Sequence, residues 1–123
     1  MPSVNGVVYQ NIYQGIDRVF KGTKGQLKSE FLIAPFADPS QIRMNYSGVN
    51  DIRLRDGALI LETPLGEFID NAPIVDRDIN GQRVNVPAAY NLLGNGQVNF
   101  SLGDFDPTQP LVIETTRFLT TRA

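Results

Sequence analysis

Short runs in which apolar and polar residues alternate, separated by turn-forming residues, dominate this sequence. The runs recur about every 8–12 residues, and glycine, proline, asparagine or aspartate lies between them. A period of two is that of a β-strand with one buried face, because successive side chains point to opposite sides of the strand. No window keeps the apolar spacing of an amphipathic helix for three turns. The pattern therefore predicts an all-β protein built from antiparallel strands.

Three short stretches mark the tightest turns between these runs. They are Asp56-Gly57, Asn80-Gly81 and Gly94-Asn95-Gly96. Such residues favour hairpin loops because they tolerate the positive φ angles that these loops require. We therefore predict about nine or ten short strands joined by hairpins, forming an antiparallel β-sandwich of immunoglobulin-like general form. One helical turn is expected at residues 38–43, where Asp38 is placed to cap it.

The length of 123 residues suits one domain, and no linker divides the chain. Residues 1–123 are predicted to form a single β-sandwich, with a core at residues 6–114 and a C-terminal strand or tail at 115–123. We expect the N-terminal SVNGVVYQ and the C-terminal ETTRFLTTRA to be edge strands. Both segments are apolar enough to pair with another copy of the chain.

The chain contains neither cysteine nor histidine. Disulfides, zinc–thiolate sites, cysteine nucleophiles and histidine acid–base catalysis are therefore excluded. A net charge of −2, with the 11 lysines and arginines scattered along the chain, argues against a nucleic-acid partner. No apolar run approaches the roughly 18 residues that a membrane-spanning helix needs. The N-terminus has no signal-peptide pattern.

Two pairs of carboxylates stand two residues apart in polar segments. The pairs are Asp76 with Asp78, and Asp104 with Asp106. Aspartate oxygens at this spacing are able to bind calcium, although neither segment has the complete ligand pattern of an EF-hand loop. The same spacing is typical of turns in which an aspartate accepts backbone hydrogen bonds. Both interpretations stay open, and the sequence indicates no other metal or cofactor.

Three tyrosines are candidates for stacking against a sugar ring: Tyr9, Tyr13 and Tyr46. Each is equally compatible with a packed ring whose hydroxyl group bonds to the backbone. Close to the first two, Gly15 is expected to provide a backbone bend and Asp17 to accept turn hydrogen bonds. We therefore expect Asp17 to be more buried and better hydrogen-bonded than an ordinary surface aspartate.

No catalytic residues are indicated by the sequence. Its 13 acidic residues offer carboxylate pairs of the kind used in glycoside hydrolysis, but no pattern singles out two of them. The chain also lacks the G-x-S-x-G nucleophile elbow and a phosphate-binding loop. We therefore expect a protein that is not an enzyme. A carbohydrate-binding module is an alternative to an interaction module, and a glycoside hydrolase is the least favoured alternative.

Five stretches occur in an order that resembles a known family. They are YQNIYQGIDRVFKG, LKSEF, PFADPSQI, VNFSLGDFD and PLVIE. Over about residues 7–114 they are similar to the uncharacterised domain found upstream of SBBP-type β-propeller repeats in large bacterial extracellular proteins. The matching positions are Tyr9, Asn11, Ile12, Tyr13, Gly15, Ile16, Asp17, Val19, Phe20, Gly22, Leu27, Glu30, Phe31, Pro35, Ala37, Asp38, Pro39, Ile42, Val98, Phe100, Leu102, Gly103, Phe105, Asp106, Pro110, Leu111, Val112, Ile113 and Glu114.

The chain departs from that family's pattern at two places. Gln14 stands where the family usually has proline, and Glu114-Thr115 stands where it usually has aspartate-proline. The resemblance implies a secreted or cell-surface setting and a non-catalytic role, and it implies no catalytic residues. The expected function is therefore that of a structural or interaction module of a bacterial surface protein, which self-assembles or binds a protein partner through its edge strands.

Overall fold

The computed structural model describes residues 6–23, 25–79 and 81–120, and most of these residues lie in β-strands. The strands of this described part are β1 (Gly6–Tyr13), β2 (Ile16–Thr23), β3 (Gln26–Ile33), β4 (Met44–Asn45), β5 (Asp51–Arg55), β6 (Ala58–Thr63), β7 (Gly66–Asp70), β8 (Ile74–Ile79), β9 (Gln82–Val86), β10 (Ala88–Gly94), β11 (Gln97–Leu102) and β12 (Leu111–Thr120). One turn of 3-10 helix, Pro39–Gln41, precedes β4. These residues include no helix with the length and apolar character needed to cross a membrane.

The strands form two antiparallel sheets that pack together, which confirms the predicted all-β sandwich. The larger sheet has nine strands, and its main order is β1-β2-β3-β12-β7-β6-β5. Strand β8 also pairs with β12, and β9 pairs with β8. The smaller sheet has the order β10-β11-β4 and supplies the other side of the core.

The C-terminal strand β12 lies in the centre of the larger sheet. Along one side it pairs with β3 over residues 111–118. Along its other side, residues 111–114 pair with β8 and residues 117–120 pair with β7. The prediction that this segment forms an edge is therefore wrong up to Thr120, and residues 121–123 lie outside the described residues. The error has a physical cause: every residue carries the backbone groups that pair strands, so the sequence of a strand does not show how many neighbours it has.

The segment formed by β7 and β8 runs along one side of β12 with a break in the middle. Asp70 lies opposite Arg117 and Ile74 opposite Glu114, so three residues of this segment face two of β12. Such a bulge bends a sheet, and here it separates the β5–β6–β7 part from the β8–β9 part. This division, together with the two-residue strand β4, explains why the described residues contain twelve strands where about nine or ten were predicted.

The core lies between the inner faces of the two sheets. In β3 the residues Ser29, Phe31 and Ile33 are buried while those between them are less so, which confirms the alternation for this strand. The ring of Phe100, in the smaller sheet, stands 5.7 Å from the ring of Phe31 and joins the two layers. Burial of each large apolar side chain stabilises the fold by about 1.5–3 kcal/mol.

The predicted hairpin turns have the expected backbone conformation where they are described. Asp56 and Gly57 have φ angles of 52° and 83°, and Asn95 and Gly96 have φ angles of 53° and 76°. These four positive values confirm the turns between β5 and β6 and between β10 and β11. Of the third predicted turn, Asn80 lies outside the described residues.

Two aspartates accept hydrogen bonds from nearby backbone groups, as predicted. Asp38 Oδ1 accepts the N–H of Ser40 at 2.9 Å and caps the single 3-10 turn. Asp17 Oδ1 accepts the N–H of Asn11 at 2.8 Å, at a bulge between residues 9 and 13 where β1 departs from its regular register with β2. Asp17 is half-buried. Its carboxylate thus replaces a sheet hydrogen bond that the bulge removes.

Gly15 is required where β1 turns into β2. Its φ angle is 76°, a conformation that side chains with a Cβ rarely adopt. A Cβ added at this position would lie 2.8 Å from the Cβ of Ala37, which is closer than two carbon atoms can approach. The carbonyl oxygen of Gly15 also accepts the N–H of Ala34 at 2.9 Å. The turn and the loop after β3 therefore fit together only with glycine here.

We expect Gly15→Ala to lower the free energy of unfolding by about 2–3 kcal/mol, because strain at positive φ adds to the contact with Ala37. The matched control is Gly25→Ala, since Gly25 has a φ of 72° but nothing within 4 Å of an added Cβ. That control should lose only about 1 kcal/mol. Urea unfolding measures both, and the additional change Ala37→Gly should restore part of the loss. Equal losses at the two glycines would contradict the close approach.

Candidate functional site

A polar cluster lies on the inner face of the larger sheet, among the apolar side chains of the core. We name it the inner polar cluster, and its members are Arg18, Ser29, Asp70, Thr115 and Arg117. Three of them, Ser29, Asp70 and Thr115, are buried. Each member lies two residues from an apolar residue of the same strand that faces the core. Side chains two residues apart point to the same face of a strand, so each member also points inward.

The pairing of the strands brings these residues together. Ser29 of β3 lies directly opposite Thr115 of β12, and Asp70 of β7 lies directly opposite Arg117. Directly opposed side chains of an antiparallel pair have Cβ atoms about 5 Å apart. Because β12 contacts both β3 and β7, the cluster forms only when this strand is in place.

Arg117 and Asp70 form a two-point ion pair. The Nε of Arg117 donates to Oδ1 of Asp70 at 2.6 Å, and Nη2 donates to Oδ2 at 2.8 Å. Asp70 is 4% exposed, and it is the one buried carboxylate among the described residues. The hydrogen bonds to Asp70 raise the pKa of the Arg117 guanidinium. This arrangement matches the planar fork of arginine to a carboxylate and satisfies both charges.

Arg18 has a different environment. Its Nε donates to Oγ of Ser29 at 3.0 Å, and its guanidinium carbon lies 4.5 Å from the ring centroids of both Phe20 and Phe31. No carboxylate of the described residues forms an ion pair with it. Burial lowers the pKa of Arg18, although an arginine stays charged in a protein. The inner polar cluster therefore carries two positive charges and one negative charge.

Two tyrosines of the opposite layer complete the surroundings of the cluster. The hydroxyl of Tyr46 accepts from Nη2 of Arg117 at 3.4 Å, and its ring centroid lies 5.5 Å from that guanidinium carbon. The hydroxyl of Tyr90 donates to the carbonyl oxygen of Asn71 at 2.7 Å. Burial raises the pKa of both tyrosine hydroxyls. Both groups are therefore neutral at physiological pH.

The cluster borders a small cavity with a volume of about 20 Å³. This volume suits about one water molecule or one small polar group. The cavity is lined by these guanidinium and hydroxyl groups and by the apolar side chains of Phe20, Leu27 and Met44. The arrangement is suited to holding a small anionic or hydrogen-bonding group. Asp70 is bound at both oxygens by Arg117, so it is not free to act as a base.

The three tyrosines predicted as sugar platforms lie in three different environments. Tyr9 is 53% exposed and packs edge-to-face on Phe20 at a ring distance of 5.8 Å. The hydroxyl of Tyr13 donates to the carbonyl oxygen of Arg43 and accepts its N–H, both at 3.0 Å. Tyr46 belongs to the cavity wall. The structure therefore does not gather the three rings into one platform, and of the three only Tyr9 presents an exposed ring.

A larger groove is also lined by Tyr46. It has a volume of about 410 Å³ and opens between the β4–β5 connection and the β10–β11 turn. Asn50, Asp51, Asn95 and Gln97 supply polar groups to its lining. The amide groups donate and accept hydrogen bonds and the carboxylate accepts them, and sugar hydroxyl groups need partners of both kinds.

Of the four carboxylates predicted as calcium ligands, the structure describes the side chains of Asp76, Asp104 and Asp106. Asp106 Oδ1 accepts the N–H and the hydroxyl of Thr108 at 2.9 and 2.6 Å, and these bonds lower the pKa of Asp106. Asp76 forms an ion pair at 3.6 Å with an exposed arginine of β9, and Asp104 is exposed. The side chain of Asp78 lies outside the described residues. Within residues 6–23, 25–79 and 81–120, no three acidic side chains gather at a point suited to a metal ion.

Sequence reasoning missed the inner polar cluster, although a signal for it was present. Arg18 has the same alternation as Ile16 and Phe20, and Ser29 has the same alternation as Phe31. Polar residues at core-facing positions of several strands predict a buried polar group that must be hydrogen-bonded. What the sequence does not show is which of these strands are neighbours.

We expect Asp70→Asn to lower the free energy of unfolding by about 3 kcal/mol, because Arg117 would keep a largely buried charge without a counter-ion. The control is Glu30→Gln, which breaks a more exposed pair with Lys21 at 3.6 Å. That control should cost less than about 1 kcal/mol. Denaturant unfolding at neutral pH measures both variants. Losses of similar size would show that the inner pair is no stronger than a surface pair.

Comparison with known proteins gives one assignment. No curated protein and no solved structure matches the chain. The family described as "Domain of unknown function (DUF7948)" matches residues 1–114, which end within β12. This match spans most of the 123 residues and includes the first three members of the inner polar cluster. The chain therefore belongs to the DUF7948 family of domains of unknown function.

Proposed function

We propose that the chain is a non-catalytic interaction module of a secreted or cell-surface bacterial protein, and that two copies associate through β1. The observation that carries this proposal is the position of β1 at the end of the larger sheet. Among the described strands it pairs with β2 alone, so its other side presents unpaired backbone groups. Such an edge is a template for another strand.

Strand β1 lacks the features that usually protect an edge. Edges of monomeric proteins commonly carry lysine, proline or inward-pointing charges. The sequence of β1, GVVYQNIY, has no charged residue and no proline. Val7, Val8 and Tyr9 are 50%, 56% and 53% exposed, and they alternate between the two faces of the sheet. A partner strand would cover apolar surface on both faces at once.

Two other edges, β5 and β10, are less suited to pairing. Strand β5, at the opposite end of the larger sheet, carries Asp51, Arg53 and Arg55, and these charges discourage a second strand. Strand β10, at the edge of the smaller sheet, has no charge, but its Leu92 and Leu93 are only 41% and 37% exposed. We therefore favour β1, and the same experiment tests β1, β5 and β10.

A two-fold axis between copies suits this edge. Two β1 strands related by such an axis run antiparallel, so the same residues face each other and the interface is self-complementary. An uncharged strand places no like charges opposite one another. A bulge follows Tyr9, so the regular pairing of β1 with β2 covers residues 6–9. The pairing is therefore short, and we expect reversible association.

The proposed setting rests on the resemblance to domains found upstream of SBBP-type β-propeller repeats. In such proteins a strand-pairing domain would link neighbouring modules or copies. The gene provides a direct test of this setting. An open reading frame that begins with a signal peptide and continues into propeller repeats would support it, and a reading frame with neither feature would contradict it.

We expect the chain to show concentration-dependent dimers by light scattering, and Val8→Lys to weaken the association at least about tenfold by placing like charges opposite each other. Two matched controls bear lysine on two other edges. They are Leu54→Lys on β5 and Leu93→Lys on β10, and both should associate as the unchanged chain does. A strict monomer at high concentration, or loss of the dimer only in a control variant, would reject the assignment to β1.

A second candidate function, carbohydrate binding, is favoured by the groove beside Tyr46. Its lining of amide and carboxylate groups suits sugar hydroxyls, and its volume is within the range of ligand pockets. A glycan array should then give hits that Gln97→Ala weakens and that Asn91→Ala, on the exposed side of β10, leaves unchanged. An array without hits, or hits that both variants affect equally, would remove this candidate.

A further inference from the structure

The groove beside Tyr46 lies in a part of the molecule with very little charge. Residues 44–50 and 84–103, which supply its lining apart from two residues of β5, contain no acidic or basic residue. Among the described lining residues the one charged group is Asp51, whose Oδ2 accepts a hydrogen bond from Nη1 of Arg53 at 3.0 Å. Arg53 also donates to two further carboxylates. Because each charge here already has a partner, the groove favours a neutral ligand.

Backbone hydrogen bonds fix both walls of the groove. The N–H of Tyr46 donates to the carbonyl oxygen of Gly96 at 2.8 Å and ties the β10–β11 turn to the end of β4. The N–H of Asn50 donates to the carbonyl oxygen of Glu62 at 2.7 Å and ties the β4–β5 connection to β6. A site whose walls are already in place loses less conformational freedom when a ligand binds. The groove is therefore formed before a ligand arrives.

The lining combines apolar side chains with amide groups that are available to a ligand. Val49 and Ile52 pack against the core and also line the groove, and Leu92 beside them is 41% exposed. Within the described part of the chain, no hydrogen bond occupies the side-chain amides of Asn95 and Gln97. Each of these amides is able both to donate and to accept hydrogen bonds. The groove thus presents apolar surface and neutral hydrogen-bonding groups to the same ligand.

Tyr46 is the one aromatic residue among the described lining residues, and its ring is already in contact with an arginine. The residue is half-buried, and its ring centroid lies 5.5 Å from the guanidinium carbon of Arg117. A ligand that binds by stacking a whole sugar ring on an open aromatic face is therefore poorly matched to this groove. The apolar contact must come from a small group of the ligand that reaches Leu92 and its neighbours.

From these features we propose that the groove beside Tyr46 binds a neutral sugar that bears an N-acetyl group. An acetamido group is uncharged and joins a methyl group to an N–H donor and a carbonyl acceptor, as this lining requires. The methyl group contacts Leu92, the amide pairs with Gln97, and ring hydroxyl groups bond to Asn95 and Asp51. Binding of such a sugar rests on carbohydrate binding, the second candidate function, and is independent of the association through β1.

Titration of the isotope-labelled chain with N,N′-diacetylchitobiose and with cellobiose, followed by amide proton–nitrogen spectra, tests the proposal. The two disaccharides share their ring type and linkage, and acetamido groups in the first replace hydroxyl groups in the second. We expect saturable shifts within residues 49–52 and 92–97. We also expect an affinity at least about fivefold higher for diacetylchitobiose, because one more methyl group is buried and one more amide is hydrogen-bonded.

The outcomes separate the choice of sugar from carbohydrate binding itself. Equal affinity for the two disaccharides, with shifts in the groove, would overturn the N-acetyl preference and leave carbohydrate binding in place. No saturable shift with either disaccharide, together with an empty glycan array, would remove both. Chitobiose without acetyl groups carries ammonium groups and should bind no better than cellobiose, since Asp51 already has a cationic partner. Tighter binding of this cation would contradict the preference for a neutral ligand.

A pair of neighbouring leucines assigns the preference to the groove. Leu92→Ala removes the apolar contact and should bring the two affinities within about twofold of each other. The matched control is Leu93→Ala, since Leu93 is 37% exposed and is not among the lining residues, and it should keep the preference. If Leu92→Ala does not fold, Gln97→Glu replaces it, and the loss of the amide donor should weaken diacetylchitobiose more than cellobiose. An unchanged preference in the folded groove variant, or its loss in the control, would overturn the assignment.

Discussion

The pairing of β12 with strands on both of its sides is the constraint on which the rest of the structure depends. Without this strand, β1–β3 would form one small sheet, and β5–β7 and β8–β9 would form others. With it, nine strands make a single layer that the three-stranded sheet covers. Strand β12 therefore joins parts of the chain that are far apart in sequence, which is the kind of contact that forms slowly during folding.

The same strand divides the interior into an apolar and a polar half. The inward residues of its first half are Leu111 and Ile113, which belong to the hydrophobic core. Those of its second half are Thr115 and Arg117, which belong to the inner polar cluster. A slip of one residue in the pairing with β7 would move Arg117 to the outer face and leave Asp70 buried without its partner. The ion pair thus raises the free energy of a wrongly paired sheet by more than it lowers the free energy of the correct one.

Features that depend on neighbouring residues were predictable from the sequence, and features that depend on distant pairing were not. The turn at Asp56-Gly57, the cap at Asp38 and the alternation of β3 follow from local backbone preferences, which a short stretch of sequence carries. The central place of β12 does not, because any strand offers the same backbone groups to a neighbour. The polar cluster was missed for the same reason: Arg117 and Asp70 are both visible as inward polar residues, but only the sheet order makes them partners.

The central position of β12 has a consequence for the chain during its synthesis. Until residues 111–120 have emerged, β3 and the β7–β8 segment each keep an open edge toward the gap that β12 will fill. The β12 of a second molecule presents the same backbone and the same Thr115 and Arg117 to that gap, so it completes the sheet equally well. Two chains that exchange this strand would keep its pairings with β3, β7 and β8, with the connection after β11 as the hinge. The strand that completes the larger sheet within one molecule is thus also the strand that two molecules would exchange to form a swapped dimer.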